Sequence, residues 1–208
     1  MAETSVRVDV WSDFVCPWCF LASTSLDKLE SEQKIEIVWR SYELRPKGSP
    51  PMPEAYRQRI LAGRPQLDAL AEQRYGVKLT HGPLDIDSRL AHIGMKYAEE
   101  QGLGKEYHDA MFRAYWQDGR SIDQEGVLVE VAESVGIERE AFLKALETPS
   151  YLHQVLADVT EAQALGLQGV PAMIFAGKYL VSGAQPYEVL SKVVNDVNSR
   201  MSAEASTN

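Results

Sequence analysis

Apolar and polar positions alternate along this chain with two periods, and the changes of period divide it into elements. The run Val6-Arg7-Val8-Asp9-Val10-Trp11 is rich in β-branched and aromatic residues and predicts a strand. Leu21, Leu26 and Leu29 then fall at helical spacing on a segment reaching about Gln33. A second strand is predicted from Ile35 to Leu44, where Ile35, Ile37 and Trp39 alternate with polar residues. Strand, helix, strand in this order implies a right-handed crossover and a parallel pair. Lys47-Gly48-Ser49-Pro50-Pro51 ends the regular pattern.

From Pro53 to Leu167 the pattern is helical throughout. Tyr56 and Ile60 share a short helix that Gly63-Arg64-Pro65 is expected to interrupt, with Leu67, Leu70 and Ala71 opening the next. Further stripes are Leu90/Ile93/Tyr97/Ala98, Tyr107/Met111/Ala114/Tyr115, Leu128/Val131/Ala132/Val135 and Phe142/Ala145/Leu146. Thr148-Pro149 is read as a helix cap and first-turn proline ahead of Leu152, Val155, Leu156 and Val159. Strand character returns at Ala172–Phe175 and Tyr179–Val181 around Ala176-Gly177-Lys178, which predicts an antiparallel hairpin. A closing helix follows Pro186, with Val189, Leu190, Val193 and Val197 inward. The expected organisation is a discontinuous α/β unit over residues 5–52 and 168–200, a helical insertion over 53–167, and a disordered tail over 201–208.

Composition narrows the function more than the fold. The 208 residues carry 21 basic and 30 acidic side chains, a formal net charge of −9, which argues against nucleic acid as a main partner. No stretch approaches the roughly 18 apolar residues of a membrane span. Met1-Ala2-Glu3-Thr4-Ser5 has neither the charged start nor the apolar run of a signal peptide, so a cytoplasmic protein is expected. Its thiols would then face a reducing pool.

The two cysteines, Cys16 and Cys19, are the only ones and sit in Cys16-Pro17-Trp18-Cys19, where the first strand turns into the first helix. Pro17 suits the first helical turn, where its missing N–H costs nothing. A thiol at that position faces unpaired backbone N–H groups and the positive end of the helix dipole, and both favour thiolate. Exchange needs one exposed thiolate to attack and a second thiol in reach to resolve. Cys16 is assigned the first role and Cys19 the second. The same spacing occurs in zinc knuckles, but a structural zinc site needs four ligands. The chain has no second cysteine pair, and His81, His92, His108 and His153 are dispersed. No metal and no bound cofactor are expected. Two inert core cysteines, or a dithiol that only senses redox state in a non-catalytic adaptor, are the remaining alternatives.

Other candidates have a structural reading beside the functional one. Gly169-Val170-Pro171 leads into the hairpin, and Pro171 by itself reads as an ordinary trans proline opening a strand. Asp9 and Asp13 flank the dithiol strand and could serve proton transfer at Cys19, or Asp13 could cap the turn. His92 is read as structural before substrate-facing, and Asp85-Ile86-Asp87 as a helix cap before a metal fragment. Met111, Tyr115 and Trp116 could line an apolar groove, with core packing the better reading for at least two.

Several segments together resemble the FrnE-like branch of the DsbA family. They are Ser12-Asp13-Phe14-Val15-Cys16-Pro17-Trp18-Cys19, Ser88-Arg89-Leu90-Ala91-His92, Phe112-Arg113-Ala114-Tyr115, Gly169-Val170-Pro171 and Ser182-Gly183-Ala184-Gln185, in that order. The resemblance spans about residues 6 to 195. It implies an α/β thioredoxin-like fold with a helical insertion and a dithiol–disulfide oxidoreductase or isomerase. By position it makes Cys16, Cys19 and Pro171 the catalytic set, with Pro171 in a cis bond beside the attacking sulfur. Pro17, Trp18 and Val170 become the substrate-binding set. The expected partners are protein or small-molecule disulfides and thiols, with glutathione admitted as a redox partner. The superfamily includes kappa-class glutathione transferases and 2-hydroxychromene-2-carboxylate isomerase, which typically carry serine where Cys16 stands. By analogy with those enzymes, a glutathione site would use the Val170 backbone and Ser182-Gly183-Ala184. Thioredoxin itself carries a buried acid six residues before its first cysteine; here Val10 stands there, which leaves the proton acceptor of Cys19 unassigned.

Overall fold

In the computed structural model, which describes residues 5–205, strand β1 (Val6–Ser12) takes an inner place in a four-stranded sheet of order β2-β1-β3-β4. β1 runs parallel to β2 (Ile35–Ser41), with Val6 opposite Ile35 and Ser12 opposite Ser41. On its other side it runs antiparallel to β3 (Ala172–Phe175), which forms a hairpin with β4 (Tyr179–Ser182). The inner position explains why Val6, Val8, Val10 and Trp11 are all buried: a strand covered on both faces needs no solvent-facing side. Helix α1 (Pro17–Glu32) makes the crossover from β1 to β2.

Between β2 and β3 the chain is helical: α2 (Glu54–Leu70), α3 (Arg89–Glu100), α4 (Gly104–Trp116), α5 (Glu125–Ser134), α6 (Arg139–Glu147) and α7 (Pro149–Ala164). Helix α8 (Tyr187–Ala205) closes the chain. Leu26 and Leu29 of α1 and Leu190, Val194 and Val197 of α8 pack with Val6, Val8, Val10, Met173 and Phe175 of the sheet. A second core joins the start of α1 to the insertion: Cys16, Cys19, Phe20 and Leu21 pack with Met111, Phe112, Trp116 and the interiors of α3, α5 and α6. The dithiol therefore sits at the seam between sheet unit and helical block.

The seam is also tied by buried charge. Asp158 of α7 accepts from Lys96 Nζ of α3 (2.9 Å), Arg40 Nη1 (3.2 Å) and the Ser41 backbone N–H (2.9 Å). The Trp11 indole donates to the Asp158 carbonyl at 3.0 Å. A buried carboxylate with this many donors is satisfied, and it locks α3 and α7 to the sheet.

Four expectations need correction. Gly63-Arg64-Pro65 does not break a helix: α2 continues through Pro65 and ends in a π-helical turn, Ala71–Tyr75. Proline deprives the Leu61 carbonyl of its usual partner, but α2 has no fully buried residue, so that carbonyl stays within reach of water. The second strand stops at Ser41, not Leu44, because the Leu44 N–H goes to the Asp13 side chain (2.7 Å) instead of a neighbouring strand. Thr148 is the N-cap residue of α7 and Pro149 its first helical residue, as expected, but the Thr148 hydroxyl makes no cap bond and donates back to Lys144 O at 2.7 Å. Helix α8 runs through Ala205, where a disordered tail is expected from 201; residues 206–208, like 1–4, lie outside the described residues.

Candidate active site

Cys16 is the N-cap residue of α1 and Pro17 its first helical residue. The extended backbone of Cys16 (φ −94°, ψ 117°) turns the chain from the loop after β1 into the helix. Its N–H donates to Asp13 O (3.0 Å), and its carbonyl accepts from the N–H groups of Cys19 (3.1 Å) and Phe20 (3.2 Å). Cys19 thus lies one turn further in. Both cysteines are free thiols. The Cys16 Sγ lies 3.6 Å from the carbonyl oxygen of Val170, and the Val170–Pro171 peptide bond is cis.

Burial, then the neighbouring Cys16 sulfur, pushes the Cys19 thiol well above the ordinary thiol range, against weaker help from the Asp13 backbone and the Ser12 hydroxyl. Cys19 therefore holds its proton at neutral pH. A buried, protonated thiol one turn behind an N-cap thiol is the arrangement of a resolving group.

Cys16 opens onto a cleft of about 470 Å³. Leu44, Arg45 and Met52 of the segment after β2 line it, and the rest of the wall comes from three places. The dithiol turn gives Val15, Cys16, Pro17 and Trp18, with Gly169 and Val170 beside them. Helix α2 gives Tyr56, Ile60, Arg64 and Leu67. The segment before α3 and the end of α4 give His81, Gly82, Leu84, Asp85, Ile86, Tyr115 and Trp116. Trp18 is 43% exposed, an aromatic ring standing at the mouth. Trp116 is fixed by its indole bond to Phe14 O (2.9 Å) and Tyr115 by its hydroxyl bond to Pro83 O (2.7 Å). A Cβ on Gly82 would run into the Tyr115 ring, so a side chain there would push that wall inward.

Of the residues expected at the site, Cys16, Pro17, Trp18 and Val170 come together on the cleft, while Cys19 and Pro171 lie buried behind them; Cys16 itself is only 3% exposed, less open than an attacking thiol is expected to be. Tyr115 and Trp116 line it; Met111 is core. Ser182, Gly183 and Ala184 do not line it, although the Gly183 N–H donates to Pro171 O (2.8 Å) and so braces the proline turn.

Two carboxylates considered for proton transfer are committed elsewhere. Burial alone would raise the Asp9 carboxyl, but hydrogen bonds and charge from Arg7 and Arg40 outweigh it and hold it below the ordinary range. Asp13 is fully buried and accepts from Ser88 Oγ (2.5 Å), Leu44 N (2.7 Å) and Val15 N (3.3 Å). It clamps the loop before Cys16 to α3 and to the segment after β2. His92 is structural: its Nε2 lies 3.1 Å from Tyr42 O and 3.5 Å from Asp13 Oδ1, under the Phe14 ring. Asp87 accepts from Arg89 N (3.2 Å) at the start of α3, whereas Asp85 instead holds the Met52 N–H and Arg45.

Nothing in the sequence places α2 or the segment 81–86 on the dithiol cleft. Tyr56 and Ile60 were legible as a stripe, but nothing local says that this stripe faces the dithiol.

Comparison with known proteins adds to this geometry. Residues 7–195 match the family model described as the DSBA-like thioredoxin domain. A crystal structure of a probable DsbA oxidoreductase from Streptomyces coelicolor superposes with a TM-score of 0.79 at 31% identity, covering 92% of this chain and 89% of that one. An uncharacterized protein of Bacillus subtilis, YwbO, is 28% identical over 198 residues, 92% of this chain and 97% of its own. A 2-hydroxychromene-2-carboxylate isomerase of Pseudomonas putida is 27% identical over 181 residues, 80% of this chain and 83% of its own.

Proposed function

The chain belongs to the DSBA-like thioredoxin domain family, and from that premise we propose that it is a cytoplasmic thiol–disulfide oxidoreductase or isomerase acting through a mixed disulfide at Cys16. In the reducing direction the Cys16 thiolate attacks one sulfur of a substrate disulfide. A Cys16–substrate disulfide forms, and the other substrate sulfur leaves as thiolate. Cys19 gives up its proton, attacks the Cys16 sulfur and releases the second substrate thiolate. Two electrons pass from the dithiol to the substrate, and a Cys16–Cys19 disulfide remains. The oxidising direction is the reverse.

The observation that carries this reading is the unequal placement of two thiols that are both nearly fully buried: Cys16 lines the cleft beside Val170 O, and Cys19, off the cleft, holds its proton one turn behind. Pro17, Trp18 and Val170 form the substrate-facing rim, and the Val170 backbone offers an extended substrate chain a carbonyl at the reacting sulfur. Mixing the fully reduced protein with a disulfide-bonded protein tests the proposal. One Cys16–Cys19 disulfide is expected for each substrate disulfide reduced, and no loss of free thiols from either cysteine would refute it. Fractionation of the producing cells checks the compartment.

A glutathione-dependent isomerase or transferase is the second reading, favoured by the aromatic walls of the cleft and by the isomerase among the relatives. Its mark is activity on a small aromatic compound that needs added glutathione and survives Cys19→Ser.

A further inference from the structure

Helix α2 turns one face to the cleft. Tyr56, Ile60, Arg64 and Leu67 recur at helical spacing, and all four line it. Arg64 thus stands where the stripe asks for an apolar side chain. Among the described residues its buried Nε has no hydrogen-bond partner, and Arg64 makes no ion pair with a carboxylate. The other cations here are occupied. Arg45 holds Asp85 at 2.6 Å, Arg57 reaches the same carboxylate at 3.7 Å, and His81 lies 2.7 Å from Asp68. Burying that one N–H without a partner costs free energy, and the planar fork of the half-buried guanidinium suits a carboxylate. The chain as a whole is acidic, at −9, so this cation is a local feature and not part of a general field that attracts anions.

We infer that Arg64 is a subsite for a carboxylate carried by the substrate whose sulfur reaches Cys16. The cleft then selects disulfides that combine an apolar or aromatic body with an anionic group. The inference rests on the thiol–disulfide reading above and adds the substrate class.

The test uses single turnovers of the reduced full-length protein with two aromatic disulfides. One is 5,5′-dithiobis(2-nitrobenzoate), which bears carboxylates; the other is 4,4′-dithiodipyridine, which is neutral. In each, Cys16 displaces one aryl thiolate, Cys19 displaces the second, and the protein disulfide closes. The ratio of the two rate constants, anionic over neutral, is expected to fall about tenfold or more in Arg64→Gln, the scale of a lost charge-assisted hydrogen bond. It should recover partly in Arg64→Lys. Arg139→Gln, the same charge change at an exposed position paired with Glu133, should leave the ratio alone. An unchanged ratio in Arg64→Gln, or an equal fall in Arg139→Gln, would overturn the inference while leaving the thiol reading intact. If neither probe reacts at Cys16 in the wild type, the thiol reading fails, and the inference with it. Should Arg64→Gln not fold, the wild type still decides: benzoate must slow the neutral probe and benzamide must not, and equal effects overturn the subsite. Oxidised glutathione against its ethyl ester then separates sources: the same Arg64-dependent preference for the acid extends the class to peptides, and its absence confines it to small aromatic acids.

Discussion

The sulfur of Cys16 lies 3.6 Å from the carbonyl oxygen of Val170, 154 residues further along the chain. Two separate structural devices produce this meeting. The parallel β1–β2 pair and the α1 crossover place Cys16 at a helix N-terminus. The antiparallel pairing of β1 with β3, Trp11 opposite Ala172, brings the turn before β3 to the same end of β1. The helical insertion then supplies a wall facing both.

The buried charge cluster at the seam should be costly to break and cheap to remove whole. Asp158→Leu leaves Lys96 and Arg40 facing a low-dielectric site with one carboxylate fewer. A loss of about 3–5 kcal/mol is expected in chemical denaturation. Lys96→Met combined with Asp158→Leu should recover at least half of that. Additive losses in the double variant would contradict this account of the cluster.

Close packing of α3 on α4 and α6 depends on Gly94, where a Cβ would meet the Tyr107 hydroxyl and the Phe142 ring. Gly94→Ala gains about 1 kcal/mol of helix propensity but overfills a core that resists by about 1–3 kcal/mol, so net destabilisation is expected. Among the described residues, the buried Tyr107 hydroxyl has no hydrogen-bond partner. Tyr107→Phe should therefore be neutral or stabilising, by up to about 1 kcal/mol, and should soften the cost of Gly94→Ala. Thermal melts of the two single variants and the double variant check both statements.

Acid should weaken the fold partly through His108. Its ring is stacked on Trp39 at 3.7 Å between centroids, and its Nε2 has no hydrogen-bond partner among the described residues. Burial lowers its pKa and outweighs the raising effect of Asp109. In the unfolded chain the imidazole takes its proton near pH 6.5; in the folded protein it does so only at lower pH. Between the two values the unfolded state binds more protons, so stability rises with pH. The contribution is complete above about pH 6.5 and is lost as pH falls from there through the folded value. His108→Phe should flatten the stability profile in that window, and equal slopes for the two proteins would contradict the assignment.

What could be read from the sequence follows from how local each cause is. The dithiol turn was legible because strand, cysteines, Pro17 and helix stripe are contiguous, and the hairpin because Gly177 sits between two β-branched and aromatic runs. Pro65 misled because its rule assumes a carbonyl with no recourse to water, and α2 lies at the surface. β2 ended early because, after Tyr42 N–H reaches Ser12 O, a buried carboxylate from another segment, Asp13, takes the Leu44 N–H. The cleft was illegible for the same kind of reason: Tyr56 and Trp116 meet around Cys16 only through tertiary packing.

The most direct test of the central claim is to trap the intermediate. Cys19→Ser protein mixed with a disulfide substrate should accumulate one mixed disulfide on Cys16, seen as an intact-mass increase that dithiothreitol removes. Cys16→Ser should accumulate none at Cys19 on the same timescale. An adduct on Cys19 in preference to Cys16, or disulfide turnover undiminished in Cys16→Ser, would contradict the assignment of Cys16 as the attacking sulfur.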